Sequence, residues 1–180
     1  MASSIRPRLR AFIENFYARE TKRMQLTSSD FKPSGSIPIR FTCEGDDISP
    51  ELSWRDVPSE TESFVLIVRD PDAPKAGGFT HWLLYNIPPN LKQIDRNMPK
   101  HPTVPGIGLQ GKNDGGEIGY MGPCPPSGTH RYFVRLFALD TELKLPPGAS
   151  QEDVRSAMEK HILDKAELMG TYAKKAERAA

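Results

Sequence analysis

The chain has 180 residues, with 24 Lys and Arg against 23 Asp and Glu and a net charge of +1. One domain suits that length, since single cores commonly serve about 100–200 residues. Balanced charge provides no basic field to gather nucleic acid or anionic membrane, and no run approaches the ~20 apolar residues of a transmembrane segment. With no signal-peptide pattern at the start, the expectation is a soluble cytoplasmic protein.

Ile5, Leu9, Phe12, Ile13 and Phe16 recur at helical spacing among Arg6, Arg8, Arg10, Arg19, Lys22 and Arg23. This predicts a basic amphipathic helix over 1–23, ahead of a domain over 24–180. Its apolar face suits docking on this domain or on a second copy; membrane-surface contact and targeting are the alternatives, and Glu14 and Glu20 count against targeting.

The 17 prolines are about twice the ~5% usual in proteins and disfavour helices through the middle of the chain. Between them, residues 37–41, 62–69, 79–87 and 130–139 read as strands, and an all-β sandwich is the expected packing. In Phe64-Val-Leu-Ile-Val-Arg69 both faces are apolar, which predicts a central strand covered on both sides. The period of two places His81 with Leu83 and Tyr85, Trp82 on the reverse with Leu84, and His130 with Tyr132 and Val134. Near the C-terminus Ser150-x-x-Asp153 resembles a capping box, after which Val154, Met158 and Ile162 mark a helical face. Cys43 and Cys124 have no zinc-knuckle spacing and read as two reduced thiols, with a disulfide as the alternative.

Chemistry concentrates in two proline-rigid segments. Pro71 and Pro74 restrict the backbone of Asp70-Pro-Asp-Ala-Pro74, so Asp70 and Asp72 sit on a stiff loop at the end of a buried strand. Two neighbouring carboxylates need nearby donors, and His81 and His130 are the candidates. In Gly122-Pro-Cys-Pro-Pro-Ser-Gly-Thr-His-Arg-Tyr132, the N–H groups of Gly122, Gly128 and intervening residues can converge on an anion, while Tyr120 and the prolines form an apolar wall. His101 and His161 read as structural.

These motifs, in this order, resemble the two signature regions of the phosphatidylethanolamine-binding protein family: Asp70-Pro-Asp-Ala-Pro74 with Thr80-His81-Trp82, then Tyr120-x-Gly-Pro-Cys-Pro-Pro126 with Gly128-x-His-Arg-Tyr132. The segment from Thr42 to Trp54 is similar to that of small bacterial and archaeal members called Raf-kinase-inhibitor-like. The resemblance covers about residues 24–174. It implies a mainly β sandwich of two antiparallel sheets with peripheral helices at both termini, and an anion pocket lined or supported by Asp70, Asp72, Pro74, His81, Tyr120, Gly122, Pro126, His130 and Tyr132. Cys124 stands where animal members commonly have glycine.

The function expected from this set is non-catalytic binding of phosphate or a phosphorylethanolamine-like headgroup, with no cofactor and no metal. The alternatives are a regulator that inhibits a kinase or protease by recognising a phosphorylated or acidic segment, and a metal-dependent hydrolase. A homodimer is expected from relatives of the small prokaryotic type.

Overall fold

The structure is a computed structural model that describes residues 23–174, so nearly all of the expected N-terminal helix lies outside the described residues. Among the described residues nine strands form two antiparallel sheets: β1 (Gln25–Thr27), β2 (Leu52–Arg55), β3 (Ser63–Asp70), β4 (Phe79–Ile87), β5 (Gln93–Ile94), β6 (Thr103–Val104), β7 (Gly108–Gln110), β8 (His130–Leu139) and β9 (Ile162–Tyr172). The smaller sheet has the order β1-β2-β5 and the larger β6-β7-β4-β3-β8-β9.

β3 sits between β4 and β8 and is buried along almost its whole length, as its two apolar faces require. Phe64, Leu66 and Val68 point into the main core between the sheets, with Leu52, Trp54, Trp82, Leu84, Tyr132, Val134 and Leu168. Val65 and Ile67 point the other way, into a second core closed by Val154 and Met158 of helix α1 (Gln151–Met158). The expected capping box is present: Ser150 Oγ accepts from Asp153 N–H at 3.1 Å, and the Asp153 carboxylate accepts from Ser150 N–H at 3.2 Å.

Four expectations are corrected. Residues 37–41 are not a strand: Ile39–Phe41 forms a 3-10 turn closed by Phe41 N–H on Pro38 O at 3.0 Å, because Pro38 has no N–H for a ladder. Ile162 does not extend the helical face; it opens β9, which pairs with β8 from Leu139 to His130, and His161 lies between helix and strand. His81 does not share a face with Leu83 and Tyr85. Val68 pairs with Trp82 and Arg69 with Thr80, so His81 is the extra residue of a β-bulge and turns toward the main core, with its ring 5.2 Å from that of Tyr132.

The fourth correction concerns the cysteines, which form a disulfide, Cys43–Cys124, across 81 residues. The 3-10 turn and the Tyr120–Pro126 segment bring the two thiols together through contacts that sequence spacing does not reveal. Closing a loop of this length in the unfolded chain is worth about 4.5 kcal/mol in the chain-entropy model. Guanidinium unfolding of the Cys43→Ser/Cys124→Ser variant is expected to show a stability loss of that order, with an unchanged far-UV spectrum.

Candidate functional site

Antiparallel pairing gathers the end of β3, the starts of β4 and β8 and the end of β9 at one end of the large sheet. Asp70, the last residue of β3, is 3% exposed. Its Oδ2 accepts from His130 Nδ1 at 2.7 Å, while Oδ1 accepts from the N–H groups of Asp72 at 2.8 Å and Ala73 at 3.1 Å. One carboxylate thereby holds the Pro71–Pro74 loop and orients His130. A carboxylate acceptor on Nδ1–H leaves Nε2 as the ring nitrogen available to a ligand.

His81 is held differently from the expectation, since its ring partner is the Met121 carbonyl, with Nδ1 at 2.8 Å, and not an aspartate. Burial pushes its pKa below the ordinary histidine range, against the raising influence of that carbonyl and of Asp70, Asp114 and Asp47. The neutral ring donates through Nδ1 and presents Nε2 as an acceptor. Phe79 and Tyr132 pack on it, with ring centroids 4.8 and 5.2 Å away.

Tyr132 is 1% exposed, and its hydroxyl has no hydrogen-bond partner among the described residues, although Asp70 and the Cys124 N–H lie close enough to influence it. Burial first, and the Asp70 charge second, push the phenol pKa far above its usual value, so it remains a donor. A buried hydroxyl without a well-formed hydrogen bond is costly, and the nearby Asp70 carboxylate and Cys124 N–H are the groups that can offset that cost.

The remaining expected residues divide. Asp72 turns outward and clamps Arg131, receiving its backbone N–H and Nε at 2.9 Å each and a further guanidinium N–H at 2.7 Å. That contact lowers the Asp72 carboxyl to about 2. Pro74 and Pro126 are exposed on their loops. Tyr120 does not present its hydroxyl to an anion: it is buried edge-to-face on Trp82, lines a small apolar core cavity with Tyr132 and Pro123, and donates that hydroxyl to Phe41 O at 2.8 Å. The Gly122 N–H does not face an anion either, being donated to Asp47 Oδ1 at 2.6 Å.

Sequence reasoning missed Asp47, which joins two walls by also accepting from Lys100 Nζ at 2.7 Å. It missed Asp114, which accepts from Thr80 N–H and Lys75 Nζ at 2.7 Å each. It also missed the Met121 carbonyl, a main-chain group with no side-chain signature. Among the described residues, no cluster of three His, Cys, Asp or Glu side chains is placed to hold a metal ion, and no helix is long and apolar enough to cross a membrane.

The family model described as phosphatidylethanolamine-binding protein matches residues 27–173. Among curated relatives, a UPF0098 protein of Methanothermobacter thermautotrophicus is 53% identical over 83% of this chain and 98% of its own length, and one of Aquifex aeolicus is 51% identical over 83% and 88%. The crystal structure of a phosphatidylethanolamine-binding protein homologue of Chlamydia trachomatis superposes with a TM-score of 0.79 at 42% identity, covering 86% of this chain and all of the other. That of YbcL from E. coli, described as a member of the mammalian family, gives 0.80 at 31% identity with the same coverage. The chain belongs to the phosphatidylethanolamine-binding protein family.

Proposed function

We propose that the chain is a non-catalytic binding protein whose site, at the His81 and His130 end of the large sheet, takes a phosphate or phosphorylethanolamine-like group. The observation that carries this reading is a pair of buried imidazoles whose Nδ1 atoms are both committed elsewhere, which leaves the two Nε2 atoms for a ligand, with the Tyr132 ring packed edge-on against His81. The Nε2 atoms of His81 and His130 supply the ligand contacts, and the buried Tyr132 backs the His81 ring. Asp70 positions His130, Met121 O positions His81, and the loop bearing Asp72 and Pro74 forms the outer rim.

Binding fits this set better than turnover because each nearby carboxylate already has a cationic or amide partner: Asp70 with the Asp72 and Ala73 amides, Asp72 with Arg131, Asp47 with Lys100, Asp114 with Lys75. An acceptor Nε2 on neutral His81 calls for a proton between ring and ligand. A phosphomonoester monoanion brings that proton itself, and a dianion binds only when His81 takes one up. The Cys43–Cys124 bridge suits an oxidising compartment better than the reducing cytoplasm expected from the sequence.

NMR titration with inorganic phosphate and with O-phosphorylethanolamine is expected to move the His81, His130 and Tyr132 signals with a Kd between millimolar and micromolar. Shifts confined to other residues would sink the proposal, and a clear preference for one probe separates headgroup from free phosphate. Because His81 protonation lies below the usual histidine range and a phosphomonoester loses its second proton near pH ~6, affinity should fall as pH rises from 6 to 8, by up to about tenfold per unit. Affinity flat across that interval would exclude a shared proton. Phosphorus-31 spectra of ester-containing samples provide the control, since release of inorganic phosphate would replace binding by hydrolysis.

Gly122 supplies an independent check. A Cβ there would lie 2.7 Å from both Asp47 Oδ1 and Phe41 O and 2.8 Å from Thr42 Cα, so Gly122→Ala must wedge the two walls apart. The expected result is about 1–3 kcal/mol lower stability by denaturant titration and roughly tenfold weaker phosphate binding, equivalent to about 1.4 kcal/mol.

A further inference from the structure

We propose that the Cys43–Cys124 disulfide is a dithiol-exchange site that sets the rigidity of the anion pocket, an inference that deepens the binding reading above and rests on it for its ligand arm. Both cysteines are exposed, so a small dithiol or a dithiol-bearing protein reaches the sulfurs without unfolding the core. The exchange balances without a further reactant. A thiolate of the dithiol attacks one bridge sulfur, and the other cysteine leaves as a thiolate and takes a proton. The reagent's second thiol then closes on the mixed disulfide and releases the first cysteine, so two electrons pass to the protein and the reagent ends as a cyclic disulfide.

The consequence follows from where the bridge lies. It joins residues 41–47 to residues 120–124, which are also tied by three hydrogen bonds: Cys43 N–H on Pro123 O at 3.1 Å, Tyr120 O–H on Phe41 O at 2.8 Å, and Gly122 N–H on Asp47 Oδ1 at 2.6 Å. Met121 lies between the last two donors, and its carbonyl holds His81 Nδ1 at 2.8 Å. The Tyr132 hydroxyl lies beside Cys124 on the same segment. Cutting the covalent tie therefore loosens the segment that fixes the His81 tautomer and flanks Tyr132. A site whose groups must be ordered by the ligand binds more weakly than one already held. The oxidised chain is the tight-binding form and the reduced chain the weak one.

The test uses the full chain, oxidised or equilibrated with dithiothreitol, with bridge state read by thiol alkylation and mass spectrometry. Two readouts follow: amide hydrogen exchange by NMR and titration with inorganic phosphate. Reduction is expected to speed exchange of the Cys43 and Gly122 amides at least tenfold while Leu66 and Leu136 in the sheet stay unchanged, and to weaken phosphate binding at least fivefold. Cys43→Ser/Cys124→Ser should behave as the reduced chain and ignore the reductant; if that variant does not fold, reduced wild-type chain carries the comparison. A bridge that dithiothreitol does not open under native conditions overturns the proposal. So does unchanged exchange, or faster exchange with phosphate affinity within twofold. Should neither form bind phosphate while exchange still accelerates, the binding reading falls and redox loosening of these walls stands.

Discussion

The site depends on satisfying one buried negative charge. β3 is covered on both faces and ends on Asp70, so its last side chain is delivered to the edge of the core, where an unpaired carboxylate would cost several kcal/mol. Three hydrogen bonds remove that cost, one from His130 and two from the backbone of its own loop. The contacts that make the charge tolerable also fix the rim and the ring beside it. Stability and preorganisation are here the same set of bonds, which explains why the Pro-bounded loop is short and stiff.

Much of this was legible in the residues. The strands at 79–87 and 130–139, the doubly buried run of β3 and the capping box of α1 follow from local patterns that tertiary packing reinforces. β9 was not legible, because Ile-Leu-Asp-Lys-Ala-Glu-Leu-Met is composed largely of good helix formers. It is extended because β8 offers it ten residues of backbone pairing and the core takes Ala166, Leu168 and Tyr172. The three strands of the smaller sheet have two to four residues each, too short for any period to declare itself.

Within the site, side-chain identity was readable and direction was not. His81 could be placed on β4, but a single inserted residue in the ladder with β3 changes which face it serves, and nothing in Thr80-His81-Trp82 announces a bulge. Gly122 and Tyr120 were read as ligand contacts, whereas both are spent on joining the 120–124 segment to the 41–47 segment. The disulfide belongs to the same class of information. Its halves are 81 residues apart, and only the folded turn at Ile39–Phe41 makes them neighbours.

The pairing of His130 with Tyr172 has a consequence for how the chain is made. The backbone of the first β8 residue is completed by the last residue of β9, whose hydroxyl also bonds the Glu44 carboxylate near the bridge. During synthesis, at about 5–20 residues per second, the β3–β4 hairpin has several seconds to form before that strand is made. The emerging fold therefore passes through a stage in which its central hairpin exists, the outer edge of β8 is bare, and His130 lacks its β9 neighbour. Protection of that bare edge from pairing with other chains falls to whatever meets the nascent polypeptide.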